Sequence, residues 1–182
     1  DQVLVHRAGL PILLSVVYME VARRVGGQID GISFPGHFVV RPTHADPPFY
    51  VDPYNGGAIL RTDALRTRLT DLFGQAPTDQ QWTRVVETSS HTNILGRLCN
   101  NLKRAYLAKG DTEGALRAVE RLILLRPDDP EEVRDRGLLK VTSGLIDEGT
   151  EDLAQYVASC PDAPDANAIA RQIADLTSGQ VD

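Results

Sequence analysis

The chain has 182 residues, 42% hydrophobic and 24% charged, which suits one ordinary globular domain or two small ones. Lys and Arg total 19 against 25 Asp and Glu, a net charge of -6 with no basic run, and this argues against a surface for nucleic-acid phosphates. No apolar stretch reaches transmembrane length, since the longest, Leu10 to Met19, stops at Glu20.

The opening "DQVLVHRAG" has neither Met nor a signal-peptide pattern, so an N-terminal portion is expected to be missing. The next stretch, "GLPILLSVVYMEVARRVGG", predicts a helix. Pro11 suits its first position, Arg23 and Arg24 favour its C-terminal dipole, and Gly26 or Gly27 supplies the stop. Its apolar residues cover nearly every face, which predicts burial all round in the middle of a domain.

"IDGISF", "HFVVR" and "FYVD" read as strands, with Pro35-Gly36 turning between the first two and Pro42, Pro47 and Pro48 confining the loop between the last two. A symmetric hairpin closed by residues 42 to 48 sets His37 opposite Asp52, with Cβ atoms about 5 Å apart, so the two can hydrogen-bond. "TDALRTRLTDLFG" predicts a short amphipathic helix, and "WTRVVET" is either a strand or a helix end.

From Ser90 onward the pattern is helical and repeats. "LLRPDDP" at 124–130 returns as "ASCPDAP" at 158–164, a 34-residue shift that is the tetratricopeptide period. Leu102, Tyr106, Ala115, Val119 and Pro127 fit the first repeat. The second keeps Gly137, Gly149 where Ala is usual, Leu153 and Pro161, and "DANAIARQIADL" follows as a cap. The expected division is residues 1–88 and 89–182. Cys99 and Cys160 have no metal-ligand spacing and are too few for a disulfide framework, the pattern of a reduced, cytoplasmic chain. His6, His44 and His91 likewise show no ligand spacing, so neither a metal nor a cofactor is expected.

"RAGLPILLSVVYMEVARRVG", "FPGHFVVR", "VDPYNGG", "RLCNNLKRAY" and "RDRGLL" together resemble the SirB-type family of bacterial proteins, over nearly the whole chain from Arg7 to Leu176. The resemblance implies an α+β fold: a degenerate transglutaminase-like core, related to papain-like cysteine enzymes, with a central helix on antiparallel strands, followed by all-α tetratricopeptide repeats. In active transglutaminase-like enzymes a Cys at the start of that helix is the nucleophile, a strand His is its base and an Asp on the next strand orients the His. That division of labour has a physical basis, because a helix N-terminus lowers a thiol pKa and a carboxylate holds the imidazole tautomer.

His37 and Asp52 match the second and third members. The cysteine position falls on Pro11, which has no nucleophile. Ser15, one turn further along the same face, offers a hydroxyl, although mid-helix it most simply bonds the carbonyl of residue 11. Taken alone, His37 reads better as a structural histidine, and Asp52 as the cap of the Asn55-Gly56-Gly57 turn. The resemblance also implies Gly9 as a close backbone approach, with Pro11 and Asn55 beside the site, and Arg7 is either an anion contact or a solvated surface residue. Arg97, Asn100, Lys103, Arg134 and Arg136 either knit the two halves together or line the groove. The expectation is a retained site that binds a protein or peptide partner without covalent chemistry, with no nucleic acid and no membrane. The alternative is a hydrolase or acyltransferase using Ser15 or a cysteine outside this chain.

Overall fold

The computed structural model of the chain describes residues 2–6 and 9–178. The chain divides into two units, Asp1–Ile94 and Leu95–Asp182. Among the described residues, no helix is long and apolar enough to cross a membrane.

The first unit begins with a short helix, α1 (Gln2–His6), and the predicted helix, α2 (Pro11–Arg24). Pro11 takes the first helical position. Gly26, at φ 84, follows the helix end, and Glu20 pairs with Arg23 and Arg24 at 2.8 Å in the last turns. Four strands follow: β1 (Ile29–Ile32), β2 (Val39–Pro42), β3 (Phe49–Asp52) and β4 (Ala58–Arg61). They form an antiparallel sheet in the order β1-β2-β3-β4. The unit closes with α3 (Thr62–Phe73) and α4 (Asp79–Val85), the latter started by a Thr78–Gln81 capping box.

Strand alternation gives the sheet two covered faces. Ile32, Val39 and Tyr50 point to one side, where Phe34, Leu65, Leu69, Trp82, Val85 and Val86 complete a core. On the other side α2 packs on β1 and β2. A Cβ at Gly31 would lie 2.9 Å from the Phe38 ring and 3.1 Å from the Met19 sulfur, so glycine is what lets the helix and Phe38 approach β1.

Two expectations change here. Helix α2 is not buried all round: Ile12 and Ser15 are fully enclosed, whereas Val21 and Val25 are 56% and 81% exposed. The sheet covers one face of the helix, and its apolar residues outnumber the positions that face can bury. The β2–β3 register also differs. Val40 pairs with Val51, two residues displaced from the symmetric hairpin, so His37 and Asp52 are diagonal rather than directly opposite. A shift of two keeps every side chain on its own face, whereas a shift of one would have separated the pair.

The "WTRVVET" stretch divides between its two readings, a helix end through Val85 and a bridge from Thr88 to Ile32. Helix α1 and strand β4 lie outside the sequence expectations.

Helix α5 (His91–Ala108) leads into the second unit, built from α6 (Thr112–Leu125), α7 (Pro130–Thr142), α8 (Ile146–Ser159) and α9 (Ala166–Ser178). The 34-residue repeat holds bond by bond. Gly110 N–H to Leu107 C=O and Gly144 N–H to Val141 C=O are both 3.0 Å; Arg126 to Leu122 and Cys160 to Tyr156 are 2.8 and 2.9 Å. In the second repeat α7 and α8 cross at their glycines, where a Cβ on Gly149 would meet the Gly137 carbonyl oxygen at 2.9 Å. Ala115, Val119 and Leu139 form one core cluster, and Leu153, Tyr156 and Ile169 another.

Candidate functional site

The Phe34-Pro35-Gly36-His37 turn delivers His37 to the start of β2. The His37 N–H donates to the Phe34 carbonyl at 3.0 Å, and Gly36, at φ 70, takes the left-handed position that a type II turn needs. Asp52 ends β3 and caps the 3-10 turn Pro53–Asn55; Gly56 and Gly57, at φ 67 and 79, return the chain to β4.

Between them lies a hydrogen-bonded dyad. His37 Nε2 is 2.8 Å from Asp52 Oδ2, with the two side chains 12% and 1% exposed. The same oxygen accepts from Asn55 Nδ2 at 2.7 Å, while Oδ1 accepts from the Asn55 backbone N–H at 3.2 Å. Burial pushes the Asp52 carboxyl up, but the hydrogen bonds from Asn55 and His37 outweigh it and hold the group below the usual carboxylate range. An ionised carboxylate only accepts, so Nε2 carries the ring proton of neutral His37. The ring also meets Tyr54 edge-on, with centroids 5.9 Å apart, a contact with no signal in the sequence. The capping role and the orienting role of Asp52, alternatives in the sequence, are both filled by its two oxygens.

Ser15 is fully buried, and its hydroxyl donates to the Phe38 carbonyl at 3.2 Å rather than to the carbonyl of residue 11. The reason is tertiary: α2 packs against β2, so the backbone beside His37 lies within reach of the hydroxyl. Pro11 begins the helix, one turn before Ser15. α2 also packs on the Pro53–Asn55 turn that Asp52 caps. A Cβ at Gly9 would come within 3.1 Å of the Val3 side chain, so the close approach there is to α1. Arg7 lies outside the described residues.

Residues 1–94 contain no cysteine. Cys99 and Cys160 are both free thiols of the second unit, and burial pushes the Cys99 thiol up. Among the described residues no group of three His, Cys, Asp or Glu could hold a metal ion. The dyad can therefore accept, donate and hold a proton, but no thiol of its own unit stands with it.

Elsewhere in the first unit, a groove of about 810 Å³ opens at the far end of β3 and β4, beside Pro47, Pro48, Phe49, Ile59 and Arg61; it shares no residue with the dyad. In the second unit three of the singled-out cations, Lys103, Arg134 and Arg136, pair internally. Lys103 reaches Glu132 and Asp135 at 3.0 and 2.7 Å, Arg134 reaches Asp135 and Asp165 at 2.8 and 2.9 Å, and Arg136 holds Asp152 at 2.6 Å. These three tie helices within that unit.

A family model for the transglutaminase-like superfamily matches residues 1–100, and one for the tetratricopeptide repeat matches residues 102–174. A UPF0162 protein of Xylella fastidiosa (strain Temecula1) is 36% identical over all of this chain and 65% of its own length. The UPF0162 protein YchA of Escherichia coli K12 is 27% identical over 95% of this chain and 64% of its own length. Protein SirB1 of Salmonella typhimurium is 25% identical over all of this chain and 66% of its own length. The chain thus spans about 65% of the length of the curated relatives it matches. A solved structure, the C-terminal TPR-containing domain of a Plasmodium falciparum protein, is similar at a TM-score of 0.44 and 14% identity, over 64% of this chain and 75% of that one. The chain belongs to the transglutaminase-like superfamily, and within it to the SirB/UPF0162 family, which joins this core to tetratricopeptide repeats.

Proposed function

We propose that this chain engages a protein or peptide partner, through its repeats and the retained His37–Asp52 site, without covalent chemistry. One observation carries the proposal: the dyad is formed and nearly enclosed, yet residues 1–94 contain no thiol to serve it. Pro11 occupies the position where the superfamily resemblance puts the nucleophile, and the Ser15 hydroxyl donates its hydrogen bond to the Phe38 carbonyl. A buried His–Asp pair costs desolvation, so retaining it without a nucleophile fits a recognition role. The tetratricopeptide repeats support a protein partner, since stacked helix pairs of this type build binding surfaces for other proteins. The acidic balance makes a nucleic acid a poor candidate, and two unpaired thiols suit the cytoplasm.

A second reading is favoured by the same 2.8 Å bond: a hydrolase or acyltransferase in which His37 serves Ser15 or a cysteine outside this chain. The test is a displayed peptide library selected on the wild-type chain, with the enriched peptides then measured against wild type and His37→Ala. A His37-dependent dissociation constant with no cleavage or acyl transfer of the peptide supports recognition. Turnover that disappears in His37→Ala supports the enzyme.

A further inference from the structure

Asn55 lies next to the dyad, and its two hydrogen bonds both go to Asp52. The side-chain Nδ2 and the backbone N–H take one carboxylate oxygen each, at 2.7 and 3.2 Å. The amide orientation follows from chemistry, because the reverse flip would set a carbonyl oxygen against a carboxylate oxygen. With these two donors in place the carboxylate cannot rotate, and its remaining capacity on Oδ2 faces His37 Nε2 at 2.8 Å. Among the described residues the His37 imidazole makes no other hydrogen bond, so Nδ1 is the ring nitrogen left for a ligand. Tyr54 contacts the imidazole edge-on and limits its rotation.

We propose that Asn55 is a positioning residue: it clamps Asp52, Asp52 fixes the Nε2–H tautomer of His37, and the site presents the bare Nδ1 as its acceptor for a hydrogen-bond donor of the partner, such as an amide N–H. This rests on the recognition role proposed for the dyad, but it is measured without any partner. The clamp separates two jobs that a turn asparagine can do. A residue that only stabilises the Pro53–Asn55 turn acts on unfolding, whereas a clamp also acts on the tautomer.

The experiment is nitrogen-15 NMR of the full chain with labelled histidine, on wild type, Asn55→Ala and Asn55→Ser. The wild type should show the His37 Nδ1 resonance of a bare ring nitrogen and the Nε2 resonance of a protonated one. Asn55→Ala should shift His37 toward a tautomer mixture and raise the Asp52 titration midpoint, followed by its carboxyl carbon. Asn55→Ser, whose hydroxyl can still donate, should restore part of both. Acetamide and acetate then serve as probes at neutral pH, and only acetamide should move the Nδ1 resonance. A protonated Nδ1 in the wild type overturns the proposal. So does an Asn55→Ala variant that loses melting temperature while its tautomer and Asp52 midpoint stay as in wild type. Any other pattern with the two probes overturns the donor assignment.

Discussion

Asp52→Asn is the substitution that most directly weighs the dyad. In the wild type two donors meet one oxygen, His37 Nε2 at 2.8 Å and Asn55 Nδ2 at 2.7 Å, while the turn's backbone N–H holds the other at 3.2 Å. An asparagine keeps one acceptor, which the turn claims as its cap, and offers an NH2 to two groups that themselves donate. Hydrogen bonds to a charged partner contribute about 1.5–3 kcal/mol each. At a side chain 1% exposed water cannot replace them. Because the two share an oxygen they do not add in full, so the net loss expected at pH 7 is about 2–4 kcal/mol.

The pH dependence has a definite sign. The folded Asp52 carboxyl lies below its ordinary value of 3.8, so its contribution is complete above that pH and is lost as pH falls through the folded value. The gap between wild type and variant should therefore be full at pH 7 and shrink below about pH 4. Trp82, the single tryptophan, packs in the first unit's core with Tyr50, so its fluorescence in urea reports that unit alone. A gap of the same size at pH 7 and pH 3, or one under about 0.5 kcal/mol at pH 7, would refute the reasoning.

Three further outcomes are expected. Gly149→Ala follows the usual tetratricopeptide residue and gains about 1 kcal/mol of helix propensity. Its methyl, however, would sit 2.7 Å from a Val141 methyl and 2.9 Å from the Gly137 carbonyl oxygen. Overpacking of about 1–3 kcal/mol should dominate, and an unchanged or raised melting temperature would contradict the close crossing. Ser15→Ala should cost about 1 kcal/mol by urea unfolding, the worth of one buried hydrogen bond, and leave peptide binding intact; lost binding would mean the hydroxyl meets the ligand. Pro11→Cys should react with iodoacetamide at pH 6 about tenfold faster than Cys99, and His37→Ala in that background should remove the advantage. Equal rates would mean that position 11 does not face the dyad.

Much of the fold was legible from local chemistry. Pro11, the Arg pair and the following glycines mark the bounds of α2, and the Pro-containing junctions carry the 34-residue period. Strand parity was enough to bring His37 and Asp52 to one face even with the register displaced by two. What the sequence withheld is tertiary. A hydroxyl at position 15 looks helical and local until β2 brings the Phe38 carbonyl beside it. The apolar surround of α2 says that burial is possible, not how many faces the sheet covers. The β4 strand could have been found: Asn55-Gly56-Gly57 before "AILR" is a hairpin signal in its own right. The contact of Tyr54 with His37 has no such signal, because it depends on how the turn folds back.

Whether the dyad is served by a nucleophile within this chain is decided by intact-protein mass spectrometry. The wild-type chain and His37→Ala are incubated with a fluorophosphonate and an activated-ester probe, and any adduct is mapped by peptide sequencing. A recognition site with Pro11 at the nucleophile position and Ser15 committed to Phe38 predicts no adduct on Ser15 in either protein. An adduct on Ser15 that forms in the wild type and disappears in His37→Ala would contradict it.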